Sequence, residues 1–442
     1  LLFFFPILFG TFFQQLYNAA DAVIVGRFVG KEALSAVGGG TGTLIQLLVG
    51  FFVGLSSGAT VIISQYYGAK RAEMVGYAVH TSIAFSLVAG VGMMIVGITA
   101  APWALRAMST PEDILGPSTT YIRIYFLGVI GNLIYNMGAG ILRAVGDSKR
   151  PLYFLIVSCL TNIVLDIAFV IGLHRGVAGA ALATILSQAL SAVLVLWVLM
   201  RTKDMHRLEL RKIRFDGRMF RRIIRIGLPA GLQSVMYTSS NILIQSSVNE
   251  LGTDTVAAWT AYSKIDSLFW MIVNAFGISI TTFVGQNLGR GNEPRARQGV
   301  RRALAIAMAA TVLVMIPVLV FSPQMTAFFN RKPEVVAYGA LLLRCISPFY
   351  VLCCFNQVYA AALRGAGNSK ATMIIMLCSF VLFRQVYLFI MSHYISHELI
   401  PLVMGYPAGW LVCSAATLIY YRRTSFLSTR LVAEDGSKED IQ

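Results

Sequence analysis

Twelve stretches of about twenty or more mostly apolar residues follow one another along this chain, each long enough to cross a bilayer's hydrocarbon core as a helix. They lie near 1–26, 41–66, 74–101, 118–143, 151–173, 177–200, 223–248, 257–286, 303–322, 336–363, 371–394 and 399–421. Several segments, including 74–105, 176–200 and 303–330, contain no Asp, Glu, Lys or Arg. A soluble fold would have to hide all of them from water, and charged residues at 13% of the chain are too few to clothe its outside. A bilayer instead favours an apolar exterior, provided every backbone polar group is paired within a helix. The expected fold class is therefore an all-α polytopic membrane protein of twelve transmembrane helices. The chain is apolar from Leu1 onward, which we read as following a short trimmed cytosolic leader and not as a signal peptide.

A net charge of +16 could suggest nucleic acid, but the placement of the basic residues points to no nucleic-acid partner. Alternate connections between the runs, together with the tail, hold 26 Lys and Arg, while the opposite set holds six: Arg27, Lys31, Arg106, Arg175, Arg331 and Lys332. Positive charge stays on the cytoplasmic side. Both termini and the basic linker 201–222 are thus expected in the cytoplasm, with the chain in a bacterial inner (plasma) membrane. The linker is expected to lie along anionic headgroups. The expected divisions are an N-terminal lobe over 1–200, the linker 201–222, a C-terminal lobe over 223–421 and a cytoplasmic tail over 422–442.

The two lobes repeat one another. Leu142-Arg-Ala-Val-Gly-Asp-Ser-Lys149 returns as Leu363-Arg-Gly-Ala-Gly-Asn-Ser-Lys370, an offset of 221 that also relates Gln65 to Gln286, Gly68 to Gly289 and Arg123 to Arg344. An offset of 223 relates Pro6 to Pro229 and Asn18 to Asn241; the two prolines are candidate hinges. Six spans per repeat give both lobes one orientation, so a pseudo-two-fold axis along the membrane normal and a substrate path between the lobes are expected. An alternating-access carrier needs such a duplication; a channel or receptor does not. The repeated Gly-[Asp/Asn]-Ser-Lys segments read as turns, Gly allowing the bend and the polar pair capping the next helix. A gating role is the other reading.

Charges within the spans mark function by default, because burying them in a membrane is costly. Arg123 and Arg344 begin their spans and can snorkel to the interface, which leaves Asp21, Asp166, Lys264, Asp266 and Arg384. At helix rise, Asp21, Asp166 and Thr184 all lie roughly 8–10 Å below the outer boundary. Asn162 stands one turn from Asp166 on the same face, and Asn18 is three residues from Asp21. Two carboxylates, an amide and a hydroxyl at one level suit a hard cation or a shared proton, since two neighbouring buried carboxylates resist ionising together. In the C-terminal lobe, Lys264 and Asp266 are about 200° apart around their helix, so Asp266 is expected to pair with Arg384. Whether that cluster couples transport or only holds structure is open. The six cysteines have no metal-ligand spacing and read as packing residues, and His80, His174, His393 and His397 read as surface or interface groups.

The two Leu-Arg-x-x-Gly-[Asp/Asn]-Ser-Lys turns resemble the multidrug and toxic compound extrusion (MATE) family. So do Tyr17-Asn-Ala-Ala-Asp21 with Val25-Gly26, and Asn162-Ile-Val-Leu-Asp166 followed by Gly176-Val-Ala-Gly-Ala-Ala-Leu-Ala-Thr184. The resemblance covers essentially the whole chain. It implies a monomeric carrier that exports amphipathic, often cationic small molecules through a cleft between two lobes, coupled to H+ or Na+ and without a cofactor. It also places Asp21, Asn162, Asp166 and Thr184 at the family's N-lobe cation and proton site, where Na+ is the metal ion to consider. The C-terminal lobe departs from the pattern, with Ile242, Leu243 and Ile244 around the position equivalent to Asp21.

A lipid-linked oligosaccharide flippase of related architecture is the alternative, though one would expect several cations gathered to meet its pyrophosphate. An enzyme is not expected, for no intramembrane zinc motif or Ser/His pair at catalytic spacing occurs. An ATP-driven pump would need a phosphate-binding Gly-x-x-x-x-Gly-Lys-[Ser/Thr] loop, and none is present.

Overall fold

A computed structural model of the chain describes residues 1–426 and 431 apart from 109, 250, 396 and 397. His397 and most of the 422–442 tail thus lie outside the described residues. These form helices and turns, with no strand among them. The first spans are α1 (Phe4–Phe28), α2 (Gly40–Gly68) and α3 (Ala72–Ala107). Next comes α4, in which Glu112–Leu127 runs through a 49° bend into Val129–Ala144. Then follow α5 (Lys149–Gly172), α6 (Gly176–Arg201), α7 (Gly217–Asn249) and α8 (Thr253–Gly289). The last four are α9 (Glu293–Val320), α10 (Pro333–Gly365), α11 (Ser369–Ile395) and α12 (Leu399–Arg423).

Among the described residues nine helices are long and apolar enough to cross a membrane, and the bent α4 makes a tenth. The other two, α1 and α7, are 25 and 33 residues long, ample for a bilayer that needs about 20. Their polar residues have causes. Asp21 belongs to a buried site in α1, and α7 begins with Arg218, Arg221, Arg222 and Arg225 in its interfacial turns. All twelve expected runs are therefore helical, and the chain is a twelve-helix membrane protein.

Contacts divide it into two units, Leu1–Gly231 and Leu232–Gln442. The linker and the first turns of α7 go with the first unit. Helix α7 starts at Gly217, several residues earlier than expected, because Asp216 Oδ1 accepts the Met219 N–H at 2.8 Å as its cap. The linker is fastened to the start of α3. His80 Nε2 accepts the Glu209 N–H at 3.0 Å, and the Asp216 N–H donates to Thr81 Oγ1 at 3.2 Å. His80 is thus a structural tether, and Arg207, Arg211, Lys212 and Arg214 are left exposed.

The repeated turns have one geometry. Gly146 and Gly367 take φ of 98° and 93°, which a side chain would strain. The Asp147 N–H returns to Leu142 O at 2.9 Å, and the Asn368 N–H to Leu363 O at 2.9 Å, closing each helix in the same left-handed motif. Asp147 Oδ1 then accepts the Lys149 and Arg150 N–H groups, while Asn368 Oδ1 accepts that of Ala371. The motif punctuates one helix and caps the next. The related arginines also behave alike: Arg123 Nε donates to Ile98 O at 3.3 Å and Arg344 Nε to Ser322 Oγ at 2.9 Å, both side chains staying exposed.

Candidate functional site

Within the first unit α1 packs on α5 and α5 on α6, so the four residues singled out by depth fall on three neighbouring helices. All are buried: Asp21 is 6% exposed and Thr184 2%, while Asn162 and Asp166 have no exposed surface. Asp21 lies within electrostatic reach of Asp166. Tyr17, one turn before Asp21, approaches Thr184 and feels both carboxylates. Asn18, by contrast, is exposed and does not join the set.

The polar atoms here lack partners. Asp21 Oδ1, both Asp166 carboxylate oxygens and both polar atoms of the Asn162 amide are buried without a hydrogen bond. Thr184 Oγ1 donates to Ala180 O at 3.0 Å, so its lone pairs are still available to accept. Folded proteins pair nearly all their buried polar atoms, since each orphan costs about 1–3 kcal/mol. These five atoms, four oxygens and one amide nitrogen, lie on two adjoining helices, and a proton or a bound cation can satisfy groups of this kind. Hard monovalent cations and protons fit such oxygens. Among the described residues no three His, Cys, Asp or Glu side chains gather as a transition metal would require.

Several contributors were not singled out from the sequence. Tyr121 and Tyr125 of α4 are buried with rings stacked 6.4 Å apart. Tyr121 approaches Thr184 and lies in the field of Asp21, and Tyr125 approaches Gln188. Gln188 Oε1 is a further buried atom without a partner. The available signal was helical spacing, because Tyr17 is four residues before Asp21 and Gln188 four after Thr184. Immediately after Asp166 the helix widens into a π turn over Ile167–Gly172. That geometry recurs at functional sites, where it re-aims a side chain.

The second unit corrects one expectation. Arg384 does not pair with Asp266. The Arg384 guanidinium is buried and donates from Nη2 to Ser240 Oγ at 2.5 Å and Asn241 Oδ1 at 3.1 Å, both on α7. It also lies over the rings of Tyr406 and Tyr237, 4.8 and 5.7 Å from their centroids. Asp266 is held separately on α8, where its Oδ1 accepts the Tyr262 hydroxyl at 3.3 Å and Tyr350 and Trp270 lie nearby. Lys264, on the other side of α8, is exposed. Two neutral acceptors and two ring faces fit the planar guanidinium, and they take the place of the carboxylate. A π turn over Leu377–Phe383 immediately precedes Arg384.

A helical membrane protein with two repeated units and a pair of buried, unpartnered carboxyl groups inside one of them has the build of a secondary transporter. The MatE family model matches twice, over residues 6–168 and 229–390, so this chain belongs to the MatE family. It is 29% identical over 430 residues to the probable multidrug resistance protein YoeA of Bacillus subtilis, covering 95% of this chain and 92% of that one. It is equally 29% identical to the probable multidrug resistance protein YpnP of the same organism, covering 98% and 96%. A solved outward-facing multidrug resistance transporter of the MATE family superposes with a TM-score of 0.88 at 25% identity, over 95% of this chain and 93% of that one. The chain is thus a multi-pass transporter of a multidrug efflux family, not an enzyme.

Proposed function

We propose that this chain is a bacterial plasma-membrane antiporter that exports amphipathic, often cationic compounds by alternating access, acting as a monomer. The observation that carries this reading is the set of five unpartnered polar atoms on Asp21, Asn162 and Asp166. One of the two neighbouring carboxyls keeps its proton, and a proton or sodium ion taken from the gradient neutralises the other. The neutral pocket favours a helix packing that releases substrate, and loss of the cation restores the packing that accepts it. Coupling requires that the two packings differ in cation affinity. A flippase is disfavoured because the first unit's buried charges at this site are carboxylates, which repel a pyrophosphate. In vesicles holding the full chain, a fluorescent lipophilic cation should move against its own gradient when a proton or sodium gradient is imposed. Movement that ignores both gradients would refute the antiport reading.

We also propose that both termini and the linker face the cytoplasm, on the strength of the 26 to six basic imbalance. In intact cells an impermeant thiol reagent should label cysteines introduced within 27–40 and spare those within 201–222. Labelling of the second set alone would reverse the orientation.

A further inference from the structure

Asp266 lies roughly 20 Å along α8 from Thr253 at helix rise, well inside the span. Among the described residues no cation answers it. Neither Lys264 nor Arg384 is one of the groups that act on it, and the Tyr262 hydroxyl at 3.3 Å is its one hydrogen bond. A carboxylate without a counter-charge is costly inside a membrane, so such a group marks a place where a cation arrives. Its Oδ2 accepts no hydrogen bond among the described residues and, unlike both oxygens of Asp166, is not closed off from the surface.

The surroundings of this carboxylate are aromatic. Trp270, one turn further along α8, stands beside it, and the Trp270 ring is 6.0 Å from Tyr237 of α7 and 6.0 Å from Phe269. Phe269 stacks on Tyr350 of α10 at 4.0 Å, Tyr350 neighbours Trp410 of α12 at 6.0 Å, and Trp410 neighbours Tyr406 at 6.2 Å. The six rings divide by exposure. Phe269, Tyr350 and Trp410 are buried and fill the core, whereas Trp270, Tyr237 and Tyr406 are half-buried, as Asp266 is. Tyr237 and Tyr406 both lie in the field of Asp266. Arg384, over those two rings, is only 1% exposed and presents no positive surface of its own. Core packing accounts for the sealed rings. It does not account for three accessible rings within reach of one accessible carboxylate.

We propose that Asp266, Trp270, Tyr237 and Tyr406 form a binding site for an organic ammonium, its charge on Asp266 and its apolar groups against the three rings. Ring faces attract cations, including quaternary ones that have no N–H to donate, and do so most strongly where water is excluded. A bare metal ion fits poorly, because hard cations need several oxygens and among the described residues no second carboxylate stands with Asp266. The assignment rests on the reading of the chain as an exporter of amphipathic cations. It names where the second unit holds the substrate's charge, on residues other than the Asp21 and Asp166 pair.

Ethidium binding to the purified full chain, followed by fluorescence anisotropy, tests the site. Asp266→Asn should weaken ethidium about tenfold and Trp270→Leu by a similar factor, while Trp270→Phe, which keeps a ring, should stay within about threefold. Trimethylphenylammonium should displace ethidium, and its uncharged isostere tert-butylbenzene should not. Asp166→Asn should bind ethidium as the unaltered protein does. Ethidium binding kept by Asp266→Asn, lost instead by Asp166→Asn, or displaced as readily by the isostere would each overturn the site and leave the antiport reading standing. A change in proton release by Asp266→Asn with ethidium affinity kept would make Asp266 a proton carrier and likewise overturn it. No ethidium binding by the unaltered chain would overturn the reading of its substrates as cations, and this site with it.

Discussion

Asp166→Asn is expected to lower gradient-driven efflux on the order of 100-fold, the upper end of typical coupling free energies, while the protein inserts and folds as before. The carboxylate is fully buried and neither oxygen is paired. Its removal therefore costs no interaction made within the protein and relieves desolvation. Thermal unfolding of the Asn variant should accordingly be unchanged or slightly later, so a loss of transport cannot be put down to a loss of fold. Asp21→Asn should behave in the same way. The two carboxylates lie in each other's field, and if they serve one cation as proposed, the double variant should be little worse than either single one. Multiplied losses would mean that Asp21 and Asp166 serve separate steps. Efflux measured at equal expression, with the gradient varied, separates these outcomes.

The second large effect is on stability, at Arg384. Arg384→Lys should destabilise the chain by about 3 kcal/mol, in the range for stripping a buried charge of its partners. Lysine keeps the charge but cannot reach both Ser240 and Asn241 or lie flat over Tyr406 and Tyr237. Arg384→Gln, which removes the charge together with the contacts, should cost less. Combined with Asp266→Asn, Arg384→Gln should give additive shifts within about 0.5 kcal/mol, because the two side chains bond different neighbours. Strong coupling in thermal unfolding of this cycle would restore the ion pair that the geometry denies.

These two sites differ in how far the sequence exposes them. Asp21 and Asp166 stand out because a carboxylate in an apolar run is expensive, and helix rise alone sets them at one level with Asn162 and Thr184. Depth carries no rotation about the helix axis, however. That is why Asp266 and Arg384, opposite in sign and inside the bilayer, were matched to one another, although Arg384 turns toward neutral acceptors on α7. Tyr121 and Tyr125 were invisible for another reason: in an apolar span, tyrosines that line a site look the same as tyrosines that fill a core. The π turns after Asp166 and before Arg384 leave no break in the apolar pattern of their spans, so nothing in the sequence marks them. The repeated turns were fully legible, because the left-handed glycine and the capping Asp or Asn act within a few residues of each other.

The proposed competition of cation and substrate through Asp21 and Asp166 can be measured without transport. Purified full chain in weakly buffered medium, at low and high sodium, is titrated with a lipophilic cation while released protons are followed with a pH dye and released sodium with a tracer. Substrate binding should expel protons or sodium from the unaltered protein and expel neither from Asp166→Asn that still binds substrate. Release of equal size from both proteins, or from neither, would contradict the assignment of the coupling site to this pocket.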